Sequence, residues 1–272
     1  MYQNTSVTDK TYRKLAIQVS LNGLSFVTFD TLTNKPLVLK TISMGKVNVT
    51  SKIEDLFGEA FQMNPELKAG YDDIVIVHSN NLSTFVPSAL FDEEYLGSYL
   101  QYNVKVFESD LFAFDKLNSY EINNVYVPYI NINNFLLDQF QSFEYCNSNT
   151  VLVKKLLDFS SKQADKEVFV HLKENHFELV IIRNQELILF NSFEYQTVED
   201  FIYYILFTFE QLQLNPEIVP LHLLGICNKE DEFFKIAYKY IKNCDLLDVT
   251  QQVATLDQTR TTVRKHFILF HS

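Results

Sequence analysis

Apolar positions along the chain gather into short runs of strand length separated by turn residues, and the runs recur. Leu15 to Val19 is apolar, the chain turns at Asn22-Gly23, and Leu24 to Phe29 is apolar again. Asn-Gly between two β-rich runs signals a hairpin with a two-residue loop, because those turns need positive φ. Leu37 to Met44 supplies a third run. The arrangement returns 153 residues later as Val168 to Leu172, a turn at Glu174-Asn175-His176, then Phe177 to Ile182 and Leu187 to Phe190, with Asn175 in the place of Asn22.

The pattern then changes from strand to helix in both places. Ile53-Glu54-Asp55-Leu56-Phe57 resembles Val198-Glu199-Asp200-Phe201-Ile202, and Thr197 with Asp200 three residues on reads as a capping box. Each helix leaves through a similar exit, Gln62-Met63-Asn64-Pro65-Glu66 against Gln213-Leu214-Asn215-Pro216-Glu217, where Asn before Pro predicts a stop. A fourth strand follows, Ile74 to Val77 and Val219 to Leu224, and then a second helix, Phe91 to Gln101 and Glu230 to Ile241. The reading is an α/β protein with two lobes, each β-β-β-α-β-α around a mixed sheet.

Between the repeats, Asn124 to Tyr129 reads as a strand, and Asn131 to Phe140 and Thr150 to Ser161 as helices. The polar stretch Ser160 to Lys166 places the boundary, giving a first lobe of 1–162, with its additional strand-helix segment near 124–161, and a second lobe of 163–272. His266 to Phe270 reads as a closing strand. Phe201, Tyr203, Tyr204, Phe207 and Phe209 surround the long helix, as expected of one buried on all sides. Tyr95, Tyr99 and Tyr102 form one helical stripe, core or docking face.

Charge and composition narrow the function. The chain has 272 residues and a formal charge of -11, the wrong sign for a general nucleic-acid binder. Three cysteines without a Cys-x-x-Cys spacing indicate neither a disulfide framework nor a zinc site, and Met1 to Lys14 lacks the apolar core of a signal peptide. Phe201 to Phe209, the most apolar run, is about half the roughly 20 residues a membrane helix requires. The expected setting is the cytoplasm, with a protein partner rather than nucleic acid or membrane insertion.

The duplicated order of strands and helix is similar to the ribonuclease-H-like halves of the actin, hexokinase and heat-shock chaperone superfamily. Through the hairpins Leu15 to Phe29 and Val168 to Ile182, the paired helix exits and the strand before Gly225, nearly the whole chain resembles an uncharacterised protein family from Bacteroidetes with an actin-like ATPase fold. That resemblance implies two phosphate loops, each with an Asp-x-Gly, and paired glycines at a nucleoside-binding strand end. Here the first turn reads Ser20-Leu21-Asn22-Gly23 without an acid, the second Lys173-Glu174-Asn175-His176 without a glycine, and the strand end carries Gly225 alone. The six glycines are nowhere clustered as phosphate-cradling loops require.

A ligand site in an open α/β sheet lies beyond the carboxyl ends of the strands. The candidates are therefore Asn22, Gly23, His78, Asn80, Lys173, Asn175, His176, Gly225 and Asn228. His78 reads either as an acid or base or as a strand cap. His171 along its strand and His176 at the turn are not expected to share a metal, and neither a catalytic residue nor a metal site is predicted. The expectation is a non-catalytic binding or scaffolding protein without a cofactor. A divergent nucleotide-dependent enzyme using ATP and magnesium is the alternative, and a cell-envelope or pilus assembly component a further one.

Overall fold

The computed structural model describes residues 10–44, 53–102, 104–107, 109–162 and 165–272; residues 163–164 of the polar boundary stretch lie outside them. The chain opens with an antiparallel meander, β1 (Arg13–Ser20), β2 (Gly23–Asp30) and β3 (Lys35–Ser43). Helix α1 (Ile53–Met63) follows, then strand β4 (Asp73–His78), parallel to β1. Next come β5 (Ser83–Pro87), the five-residue helix α2 (Leu96–Leu100), β6 (Ala113–Leu117) and β7 (Ile122–Tyr126), which build a separate sheet of order β5-β7-β6. Helix α3 (Ile130–Gln139), strand β8 (Glu144–Asn147) and helix α4 (Ser148–Phe159) precede a second meander, β9 (Glu167–Leu172), β10 (His176–Arg183) and β11 (Glu186–Glu194). The chain continues through α5 (Val198–Gln211), β12 (Leu221–Gly225), α6 (Glu232–Tyr240) and β13 (Cys244–Leu246) to three short helices, α7 (Thr250–Leu256), α8 (Arg260–Lys265) and α9 (Phe267–Phe270).

The repeat seen in the sequence is a repeat of pairing. The two large sheets have orders β3-β2-β1-β4-β8 and β11-β10-β9-β12-β13. Leu15 faces Thr28 across the first hairpin and Ile74 on the parallel side; Val168 faces Ile181 and Leu221 in the same way. A register slip of one residue would turn every inward side chain outward, so the buried alternation fixes this register in both copies. Leu15, Ile17 and Val19 pack with Phe57 and Phe61 of α1 and Ile132 and Leu136 of α3. Val168, Val170 and Leu172 pack with Phe201, Ile205 and Phe209 of α5 and Phe234 and Ala237 of α6.

By compactness the chain divides into two units, one drawn from 1–78 and 129–145, the other from 79–128 and 146–272. This division explains where the second helix of the first repeat went. It is α3, whose Phe135 meets Phe57 and Phe61 of α1 edge-on, just as Phe233 of α6 meets Phe201 of α5. The expected helix at Phe91 to Gln101 shrinks to a single 3-10 turn capped by Asp92 and the five residues of α2, because residues 79–128 form the three-stranded sheet instead.

The first Asn-Pro stop acts as expected, with α1 ending at Met63, whereas α5 ends earlier than its Asn-Pro, at Gln211, where Gln213 takes a left-handed φ of +53°. Asn64 donates from Nδ2 to the Ala60 carbonyl at 2.8 Å, and Pro65 opens a 3-10 turn. Asn215 accepts the Glu217 amide at 2.9 Å. The capping box of Thr197 and Asp200 is present in full.

Three further expectations fail. His266 to Phe270 is helical rather than extended: Phe267, Ile268, Leu269 and Phe270 are all buried, and so short an apolar run carries no period that separates strand from buried helix. Helix α5 is not enclosed, since Tyr203 and Phe207 stack on each other on its exposed side while Phe201 and Phe209 are buried. The tyrosine stripe is no helix face; Tyr99 stacks on Phe91 and bonds to Leu90, whereas Tyr95 and Tyr102 are exposed.

The end of β12 approaches its neighbour closely. Gly225 has φ +92°, and a Cβ there would stand 2.1 Å from the Leu172 carbonyl oxygen, which already accepts the Ile226 amide at 3.0 Å. Gly225→Ala combines a left-handed backbone with a backbone clash and is expected to destabilise the protein by at least about 2 kcal/mol. Urea unfolding followed by far-ultraviolet circular dichroism checks this through the shift in midpoint.

Candidate functional site

The hairpin between β9 and β10 gathers most of the polar chemistry of the second sheet. Along a strand, alternate residues share a face, so His171 and Lys173 project together from β9 and its end, and His176 and Glu178 from β10. The register sets His171 directly opposite Glu178. Glu178 is wholly buried. Its Oε2 lies 2.9 Å from His171 Nδ1, and its Oε1 lies 2.6 Å from Lys173 Nζ and 3.3 Å from His176 Nε2.

This arrangement settles the charges. Burial alone would raise the Glu178 carboxyl, but the Lys173 ammonium and the contacts from His171 and His176 outweigh it and hold the acid well below the usual range. Burial lowers His171, with the bond to Glu178 opposing. An ionised carboxylate only accepts, so His171 carries its proton on Nδ1. The Lys173 ammonium thus stands against the Glu178 carboxylate, with the neutral His171 imidazole beside them. The structure corrects the picture of His171 as merely aligned with its strand: it and His176 converge on one carboxylate.

The turn itself is closed by its own chain. The Lys173 amide donates to the His176 carbonyl at 3.0 Å, and the Tyr195 hydroxyl donates to the Lys173 carbonyl at 2.5 Å. Asn175 is occupied by His176 Nδ1 at 2.8 Å through its side chain and by the Tyr195 amide through its carbonyl. In the first hairpin the same cross-strand pair is Gln18 and Ser25. There the Asn22 amide donates to Ser20 Oγ at 3.3 Å, and Ser20 Oγ donates to the Gly23 carbonyl at 3.0 Å. A Cβ on Gly23 would stand 2.2 Å from the Ile42 carbonyl oxygen, so this glycine serves the approach of β3.

The remaining candidates are dispersed. His78 ends β4 fully buried, accepts the Tyr129 amide on Nδ1 at 3.0 Å and donates from Nε2 to Asn133 Oδ1 at 2.9 Å. Both ring nitrogens are committed to α3 and its entry, and burial, against the Asn133 bond, lowers the ring to about 4. Asn80 bonds to Val127 and Leu82. Asn228 bonds through its amide and side chain to Asp231 at the start of α6. Among the described residues no group of three or more His, Cys, Asp or Glu side chains is placed to hold a metal ion.

Two polar features escaped the sequence reading. Glu178 is the acid inside an otherwise apolar strand, and the two-residue alternation across a short turn was the signal that would have found it. Asp115, half-buried, accepts from the Asn147 amide at 2.9 Å, Thr150 Oγ1 at 2.5 Å and the Tyr126 hydroxyl at 3.1 Å, at the start of α4. It sits amid buried Asn124, Asn147 and Asn149, and no spacing in the sequence marks it.

Two mixed sheets of the same order, each fed by a three-stranded meander and packed on two helices, define a protein of the actin-like ATPase fold. The chain belongs to the family described as "Protein of unknown function (DUF3822)", which matches residues 2–244. It is similar to a Bacteroides thetaiotaomicron protein with actin-like ATPase fold and unknown function, with 20% identity, a TM-score of 0.76, and coverage of 92% of this chain and 98% of that one. It is also similar to a chain of the PilM-PilN type IV pilus biogenesis complex, with 11% identity, a TM-score of 0.61, and coverage of 94% and 96%. No curated protein matches it. Among the described residues no helix is long and apolar enough to cross a membrane.

Two stability measurements follow from this geometry. Removing one member of a buried ion pair leaves the other unpaired, so Glu178→Gln is expected to destabilise by about 3–5 kcal/mol, with Lys173→Met/Glu178→Leu recovering much of it; urea midpoints of the three proteins test this. His78 is depressed from 6.5 when unfolded to about 4 when folded, so its stabilising contribution is complete above pH 6.5 and is lost as the pH falls toward 4. The difference in unfolding free energy between the wild type and His78→Gln is expected to shrink across that window by about 3 kcal/mol.

Proposed function

We propose that the chain is a non-catalytic binding or scaffolding protein, built on an actin-like fold whose hairpin turns do not hold a triphosphate. One observation carries this reading: Lys173 and Glu178, the groups of the second hairpin best suited to substitute for a lost phosphate loop, neutralise each other at 2.6 Å inside the sheet. The retained glycines support it, because Gly23 and Gly225 each meet a neighbouring strand's carbonyl rather than leaving space for an anion. No ATP, magnesium or other cofactor is required, and the setting proposed is the cytoplasm.

The partner is proposed to be a protein. The likeness to a chain of a pilus biogenesis complex favours a second, narrower reading, in which that partner is a cell-envelope assembly component. It rests on fold alone.

Isothermal titration of the full chain with ATP and magnesium, together with a phosphate-release assay, tests the main reading. The expected result is no phosphate above the buffer rate and no micromolar binding that depends on magnesium. Micromolar binding followed by release, abolished by Lys173→Ala, would establish the divergent enzyme instead.

A further inference from the structure

Beyond the carboxyl ends of β12 and β13 lies an open cleft of about 520 Å³, walled by the turn at Asn228, the loop from Asp245 to Asp248, and the first residues of α7 and α8. Three cations, Lys229, Arg260 and Arg264, line it together with three carboxylates, Glu230, Asp245 and Asp248. Lys229 Nζ is 2.8 Å from Asp245 Oδ1, and Arg260 Nη2 donates to Thr250 Oγ1 at 3.2 Å. Asp248, the next acid on the wall, accepts the Thr250 amide and hydroxyl at 3.0 and 2.5 Å. Asp245 and Asp248 therefore make their direct contacts elsewhere and act on Arg264 only through space.

Arg264 is different. It is 8% exposed, its Nη1 donates to the Leu247 carbonyl at 3.4 Å, and its Nε has no acceptor. Among the described residues it forms no ion pair with a carboxylate. A guanidinium taken out of water is costly, and the carboxylates that act on Arg264, Asp245 and Asp248, do so from beyond direct contact, whereas the buried Glu178 is met by an ammonium at 2.6 Å. The guanidinium fork matches the two oxygens of a carboxylate or phosphate, and ligands of open α/β sheets lie beyond the strand ends where this cleft opens.

We infer that the cleft binds a small ligand through an oxyanion, a phosphate ester or a carboxylate, gripped by Arg264 and flanked by Arg260 and Lys229. Thr261 lines the same cleft and suits the polar remainder of such a ligand. This assignment is independent of the scaffolding role, since none of its residues belongs to the two hairpins.

Isothermal titration of the full chain at constant ionic strength, with inorganic phosphate in one arm and succinate in the other, tests it. One anion is expected to saturate at a single site, and which one does so tells a phosphate ligand from a carboxylate. Arg264→Lys keeps the charge but loses the fork, so binding should weaken at least about tenfold, while Lys40→Ala, on the other compact unit, should leave it unchanged. If Arg264→Lys does not fold, as circular dichroism would show, the exposed Arg260→Ala carries the test, with a few-fold weakening expected. Failure of both anions to saturate in the millimolar range overturns the assignment, as does binding that the substitutions in the cleft leave at the wild-type value.

Discussion

A carboxylate with no route to water has to be neutralised where it lies, and Glu178 stands in the middle of a sheet under that constraint. It fixes the identity of its surroundings: an ammonium at Lys173, an imidazole directly opposite at His171, and a second ring at His176. Those three residues occupy the strand end and turn where the resemblance to the actin superfamily implies an acid and a glycine. The first hairpin, with Gln18 and Ser25 in the equivalent pair, has no buried charge to satisfy and keeps Gly23. The two halves thus share a backbone and differ in what their turns are asked to neutralise.

Much of the architecture was legible because its signals are local and repeated. The apolar runs, the capping box at Thr197 and the Asn-Pro stop at Asn64 act locally, and the common order of the two halves exposed the duplication, although the first hairpin turns at Leu21-Asn22 with Gly23 already in β2. The insertion was not legible. Ser83–Pro87 and Ala113–Leu117 are short and partly polar, and their partner β7 comes later in the chain, so nothing nearby announces a sheet. The closing segment is ambiguous for a related reason: Phe267 to Phe270 is apolar on every side, which suits a buried turn of helix as well as a strand.

The candidate positions were harder still, because a strand-end rule locates residues without saying what they touch. It found Lys173, His176 and His78 but not the carboxylate that organises the first two, nor the Tyr129 amide and Asn133 that occupy the third. Arg264 carries no signal of its own in the sequence; its burial and its want of a carboxylate in direct contact are properties of the packing of α8 against the end of β12.

The first compact unit is discontinuous, closing only when 129–145 joins 1–78. On a ribosome this has a temporal consequence. The nascent meander and α1 emerge early, yet Phe135 and Leu136, which complete their core, follow only after the whole three-stranded excursion has been translated. Until then the apolar side of α1 lacks one of its covers, and the distant sequence separation slows closure further. Vectorial folding therefore favours the second half, whose α5 and α6 follow its meander without interruption, as the earlier-maturing copy relative to its own emergence.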